Sequence, residues 1–248
     1  MSEFSGNSKV NKFTRFSSRG SAPSNQQVIF RLRLKFERVE ELKYISHLDL
    51  MRLWERALRR AKLPLAYSEG FTPHPRISLA APLALGVTSE AELMDIFLER
   101  RIPSSLIATA VPPQLPPGIK LLETQVISPS APSLQSIVRF AEYRVLVTSS
   151  KNEAEVTASM DSLLSAESLP WQHNRDTGPR RYDLRPLIED LWLIRSQEDD
   201  FLIGMRLVLG SQGAGRPEQV TAALGFSSPP VSIHRTGLLL TRRESDRG

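Results

Sequence analysis

Two clusters in the first third of the sequence combine residue types that bind anions and move protons. The first is Tyr44-Ile45-Ser46-His47-Leu48-Asp49-Leu50-Met51-Arg52. Ser46 and Asp49 are of the kind that open helices. A helix start offers unpaired N–H groups and a partial positive charge, which together attract an anion. His47 and Tyr44 add groups able to exchange a proton, and Arg52 and Arg56, one turn apart, add planar forks that pair phosphate. The plainer alternative is that Ser46 and Asp49 only cap the helix while the arginines are solvated.

The second cluster is Tyr67-Ser68-Glu69-Gly70-Phe71-Thr72-Pro73-His74-Pro75-Arg76. Pro73 and Pro75 restrain the backbone on both sides of His74 and hold it out of helical geometry, and Gly70 permits a positive φ. A loop restrained in this way presents its side chains at low entropic cost. The alternative is a tight turn whose histidine bonds backbone carbonyls. The expected working site joins this loop to the helix start.

Other chemistry is poorly represented. His47, Asp49 and His74 are ordinary metal ligands by type, but their spacing matches no metal motif and no metal is expected. No Walker A, GxGxxG or GxSxG pattern occurs. Gly210-Ser211-Gln212-Gly213-Ala214-Gly215-Arg216 reads as a flexible loop following a strand. Later, Arg180-Arg181-Tyr182-Asp183-Leu184-Arg185-Pro186 gathers charge beside an aromatic, and His234, Arg235 and Thr236 lie between apolar flanks. Arg185 and Arg235 could pair phosphates or stack on bases, as arginines of sheet-based RNA modules do. Equally, Asp183 could pair with Arg185 or Arg235 as glue between strands.

The elements that must position these residues follow from periodicity. Val28 to Arg38 alternates apolar and charged residues and reads as a strand with one buried face. After Ser46 the stripe Leu50, Leu53, Trp54, Ala57, Leu58, Ala61 marks a helix that Pro64 stops. Strands are expected over Ile77–Leu85 and Glu92–Arg100 with a turn at Gly86–Glu90. A short helix before Pro112 and a strand over Ile119–Ile127 complete the first half. After a Pro/Ser break at Ser128–Pro132 the order repeats. A strand over Arg139–Val147 precedes a helix over Glu153–Leu164, and further strands are expected around Trp171–Asp183 and Phe201–Leu209. Leu187–Arg195 is unassigned, Pro217–Leu224 is a short helix, and Ser232–Leu240 is the closing strand. The expected fold is α+β, two tandem ferredoxin-like (β-α-β-β-α-β) domains over residues 28–128 and 134–241. A disordered basic arm over residues 1–27 and a polar tail over residues 242–248 flank them.

The chain has 248 residues, long enough for two such domains, and 40% hydrophobic content argues against wholesale disorder. A net charge of +5 favours an anionic partner, with nucleic acid the usual candidate. Cysteine is absent, so this chain holds no disulfide, thiolate nucleophile or cysteine-ligated cluster. No apolar run spans a bilayer and no signal-peptide core is seen, so a cytoplasmic location is expected.

Read in order, YISHLDLMRLWERALRRAKLPLAYSEGFTPHPRISLAAPLALG, RRYDLRPLIEDL, GRPEQVTAAL and IHRTGLLL resemble the radical SAM-linked protein family, a bacterial domain of unknown function. The resemblance runs from about Val28 to Leu240. Thr72 stands where that family commonly has Asn, so a role resting on the amide does not carry over. Members occur as stand-alone chains or fused behind a radical SAM enzyme, often encoded near ribosome and RNA-processing genes. The resemblance implies a radical SAM protein as partner. The iron–sulfur cluster and S-adenosylmethionine would belong to that partner, with no cofactor in this chain.

The leading expectation is an accessory protein that binds RNA or a ribosomal particle through Arg52, Arg56, His74, Arg76, Arg185 and Arg235 and positions it for modification. Ser46, Asp49, Tyr67, Gly70, Phe71, Pro73, Pro75 and Asp183 would shape the site. The alternatives are a metal-independent RNA-processing enzyme using His47, Tyr44 and His74, and a protein–protein adaptor.

Overall fold

The computed structural model describes residues 29–175, 178–210 and 213–241. The expected arm over residues 1–27 and tail over residues 242–248 lie outside them. In β1 (Phe30–Arg38) alternation buries Leu32, Leu34 and Phe36 on one face. Next comes α1 (His47–Arg60), where Ser46 Oγ accepts the Asp49 N–H at 3.1 Å. Its stripe Leu50, Leu53, Trp54, Ala57, Leu58 faces the sheet, and Trp54 meets Phe36 edge-on with ring centroids 4.9 Å apart. The first half continues with β2 (Ile77–Leu79), β3 (Val87–Leu98), α2 (Ser104–Ala110) and β4 (Ile119–Ile127). Its strands lie in the order β4-β1-β3-β2, every neighbouring pair antiparallel.

A short helix, α3 (Leu134–Ile137), leads into β5 (Val138–Thr148) and α4 (Glu153–Ser165). Asn152 and Glu155 form a reciprocal cap at the start of α4, satisfying two otherwise unpaired N–H groups. The chain continues through β6 (Pro170–Arg175), β7 (Gly178–Asp183), β8 (Ile188–Gln197), β9 (Asp200–Gly210), β10 (Gly213–Ala214), α5 (Pro217–Ala223) and β11 (Ser232–Leu240). Here the order is β8-β9-β5-β11, again antiparallel throughout. One parallel pairing, Ile233–Arg235 beside Val87–Ser89, fuses the halves into a nine-stranded mixed sheet. Each half keeps its own core, one around Trp54, Met94, Ile96 and Ile107, the other around Val145, Val156, Ile203 and Val220.

Several expected boundaries move. Gly86–Glu90 is not a turn between strands: β3 already begins at Val87, because that stretch pairs with β11. The strand expected to reach Leu85 stops at Leu79. Trp171–Asp183 is not one strand of the main sheet but a separate hairpin, β6 with β7. The unassigned stretch Leu187–Arg195 supplies the sheet strand instead, as β8. Its Trp192 lies across Gly204, where a Cβ would stand 2.0 Å from the ring.

Candidate nucleic-acid interface

The two clusters do not meet. Just before β3, Gly86 N–H donates to the Lys43 carbonyl at 2.7 Å, which fixes the approach to α1 at the Val87 end of that strand. At the opposite end, Ala66 N–H donates to the Phe97 carbonyl at 2.8 Å and Phe97 N–H to the Arg76 carbonyl at 3.1 Å. The base of the Tyr67–Arg76 loop therefore sits beside Phe97. The expected joint site is corrected for a simple reason: α1 lies between its parts, and at 1.5 Å per residue its 14 residues carry the chain roughly 20 Å.

At the helix start, Ser46 Oγ donates to Asp49 Oδ2 at 2.8 Å and Arg52 Nη1 donates to Asp49 Oδ1 at 3.3 Å. The protein's own carboxylate thus faces the first turn and Arg52, and the capping alternative describes Asp49. Tyr44 and His47 are exposed beside an exposed Leu48, and the Lys43 amino group lies 5.2 Å from the Tyr44 ring centroid. His47 and Tyr44 are thereby parted from His74, so these three groups do not form one acid–base site.

The loop is a finger. Tyr67 pairs with Pro75, Ser68 N–H donates to the His74 carbonyl at 2.9 Å, and His74 N–H donates to Ser68 Oγ at 3.1 Å. Pro75 is buried at the base, while Gly70, with φ of +119°, turns the tip. Phe71 stands free at the tip, 110% exposed, with Thr72, Pro73 and His74 also exposed. Arg76 lies over the Phe97 ring at 4.5 Å, a contact that holds the guanidinium while leaving its edge to solvent.

The finger keeps company with the end of α1 rather than its start. Glu99 N–H donates to the Pro64 carbonyl at 2.9 Å, which places Arg100 and Arg101 close to the residues that follow α1. Arg56, Arg60, Lys62, Arg76, Arg100 and Arg101 are all exposed and have no ion-pair partner among the described residues. Arg59, by contrast, reaches Glu55 at 3.3 Å. Arg56 and Arg60 edge a groove of about 480 Å³ whose other walls are Leu42, Leu53 and the turn Pro113–Pro116. Chemically this end of the molecule can pair phosphates and offer an aromatic face.

The later candidates are built into the fold. Arg235 is 1% exposed and holds Glu92 through Nε at 2.8 Å and Nη2 at 2.5 Å. Burial disfavours its charge, but Glu92 and Tyr143 more than restore it, so the guanidinium stays above its ordinary range. Arg185 donates to the carbonyls of Leu164 at 2.7 Å and Ile188 at 2.6 Å. Neither guanidinium is presented as a phosphate contact, which corrects their expected role. Asp183 accepts the backbone N–H groups of Leu169 at 2.7 Å and Arg185 at 3.0 Å, closing the hairpin. It pairs neither guanidinium.

Sequence reasoning passed over Glu92 and Asp95, both fully buried carboxylates. Asp95 receives Arg31 at 2.5 Å and Arg33 at 2.9 Å. The available signal was a pair of acids within the apolar run of β3 opposite the arginines of β1. It also passed over Arg60, Arg100 and Arg101, for which the only signal was a doublet of like charge, in the last turn of α1 and just after β3.

Among the described residues no group of His, Asp and Glu could hold a metal ion, and no helix is long and apolar enough to cross a membrane. No curated protein matches the sequence. Similar solved structures include a Cbf5–Nop10–Gar1 complex, 9% identical with a TM-score of 0.46, covering 84% of this chain and 48% of that one. Another is the archaeal box H/ACA Nop10–Cbf5 complex, 10% identical with a TM-score of 0.43, covering 82% of this chain and 46% of that one. This chain thus spans about half the length of those proteins, and a likeness so distant carries no argument about activity. The family-model match is of another order, running over residues 31–217: the chain belongs to the uncharacterized proteins conserved in bacteria grouped as DUF2344.

Proposed function

We propose that this chain is a non-catalytic accessory that binds RNA or a ribonucleoprotein and positions it for a radical SAM partner. That partner would hold the iron–sulfur cluster and S-adenosylmethionine. The observation that carries the reading is a set of exposed cations from the second half of α1, the residues that follow it, the finger base and the end of β3, Arg56, Arg60, Lys62, Arg76, Arg100 and Arg101, without ion-pair partners among the described residues, together with the exposed ring of Phe71 at the finger tip. Arginine forks pair phosphate oxygens and an exposed aromatic stacks on an unpaired base, the combination used by binders of single-stranded RNA. Each half reads as a ferredoxin-like unit, a view supported by the matching orders β4-β1-β3-β2 and β11-β5-β9-β8. In this reading the sheet is a rigid support and the finger, braced by Pro73 and Pro75, is the probe.

The test is fluorescence anisotropy of a labelled single-stranded RNA across a sodium chloride series. Log affinity should fall linearly with log salt, with a slope of about −0.7 for each phosphate neutralised. Replacing Arg60, Arg76, Arg100 and Arg101 together with Ala should flatten that slope by roughly 2–3. Phe71→Ala should weaken binding about tenfold, as loss of one stacked base does, with the slope unchanged. Binding that ignores both sets of changes would refute the reading.

A further inference from the structure

A cavity of about 300 Å³ lies where the two halves join. Its apolar walls include Leu83 from the first half and Leu209 from the second, Tyr143 and Arg235 form part of its inner lining, and Arg216 is exposed. Tyr143 is 7% exposed and stands directly opposite Arg235 in the pairing of β5 with β11. Arg38 reaches the same wall from β1. It is 1% exposed, and its Nη2 donates to the carbonyls of Ala84 at 3.0 Å and Val87 at 2.5 Å, both lining residues. Its Nε is buried without a hydrogen-bond partner.

Charge does not balance here. Arg38 and Arg235 face one buried carboxylate, Glu92, which is 3% exposed. Burial also holds Tyr143 neutral by pushing its phenol up from its ordinary value. Among the buried groups one positive charge is left over, while the exposed Glu218, which also lines the cavity and acts on Tyr143, sets its carboxylate on the solvent side; an uncompensated charge in the interior is costly unless an anion offsets it. Ala214 and Gly215, which follow β9 in the chain, contribute to the same wall. A Cβ on Gly215 would stand 2.6 Å from the Leu187 carbonyl oxygen, so glycine lets the chain pass tightly and sets Arg216 beside the opening.

We propose that this cavity binds a small organic anion, a carboxylate or phosphate monoester on a compact apolar body. The anionic group takes a hydrogen bond from the Tyr143 hydroxyl within the field of Arg38 and Arg235. The body packs against Leu83 and Leu209, while the exposed Arg216 and Glu218 place opposite charges at the mouth. Pockets that combine apolar walls with a few convergent polar groups are the ordinary form of a small-ligand site. The proposal is independent of RNA binding at the finger end.

Isothermal titration of the whole chain with phenyl phosphate, benzoate and inorganic phosphate tests it. At least one organic probe should bind one-to-one with a sub-millimolar Kd, and inorganic phosphate about tenfold or more weaker, since it leaves the apolar walls unused. Tighter binding of phenyl phosphate assigns the ester, and tighter binding of benzoate the carboxylate. Tyr143→Phe should weaken the better probe about fivefold or more, as loss of one hydrogen bond to a charged group does. Leu83→Trp, which fills the space, should abolish binding, and Leu209→Phe provides a second filling change should the first not fold. The proposal is overturned by three results: no saturable binding of either organic probe, equal binding of inorganic phosphate, or full binding in both the Tyr143→Phe and filled variants.

Discussion

Glu92→Gln removes the carboxylate that Arg235 grips at 2.5 Å and 2.8 Å and whose attraction offsets part of the desolvation of Arg38. All three side chains are at most 3% exposed, so water does not replace the lost partner. Breaking a buried pair by removing one member costs about 3–5 kcal/mol. The upper half of that range is expected here, because the change strands two guanidinium groups rather than one. With a urea m-value of about 2 kcal/mol per molar, the unfolding midpoint should fall by roughly 2 M. Urea titrations followed by far-ultraviolet circular dichroism and tryptophan fluorescence measure the shift, and coincidence of the two probes checks that unfolding is all-or-none. Replacing Glu92, Arg235 and Arg38 together with Leu and Met should recover most of the loss, because apolar groups of similar volume carry no charge to desolvate. A loss below about 1 kcal/mol for Glu92→Gln would refute the dry, shared-carboxylate account.

Gly204→Ala should destabilise by about 1–3 kcal/mol, since the new methyl must displace the Trp192 ring or shift the strand; a thermal midpoint unchanged from the parent would contradict the packing described. Tyr143 gives a pH signature. Its phenol lies above the ordinary value of 10.0 in the folded chain because burial penalises the phenolate, an effect only partly opposed by Arg235. The associated stability is therefore present in full below about pH 10 and drains away as pH rises through the folded value. Tyr143→Phe should flatten the fall of the thermal midpoint above about pH 10, and parallel curves for the two proteins would count against the assignment.

Local pattern in the sequence reveals most of the elements. The stripe of α1, the helix that follows Asn152 and the closing strand at Ser232–Leu240 follow from spacing alone, because each is set by neighbours within a few positions. What local pattern does not carry is pairing between distant segments. Thr88 reads as turn material until His234 is seen beside it, and Leu187–Arg195 looks ambiguous because its partner, Asp200–Leu207, is chosen by the core as a whole. The site suffers for the same reason. Sequence order sets His47 and His74 close together, whereas an intervening helix separates them, and Arg235 looks available until Glu92 meets it across the sheet. The finger was legible, because proline and glycine act on their own backbone. The cations beside it are less so, because the segment after α1 meets the end of β3 through long-range pairings, Glu99 with Pro64 and Ala66 with Phe97.

The parallel seam between β3 and β11 also governs how the molecule comes into being. Thr88 and His234 stand 146 positions apart, yet their side chains touch at 2.7 Å across that seam. During synthesis, the hydrogen-bonding rim of β3 near Val87 therefore waits for almost all the later chain before its neighbour arrives. Long-range pairing of this kind is slow, and a waiting strand rim invites wrong partners. The nascent chain should thus lean on chaperones until β11 docks. Dividing the gene between the halves would yield two fragments, each with an unfinished rim, rather than two working modules.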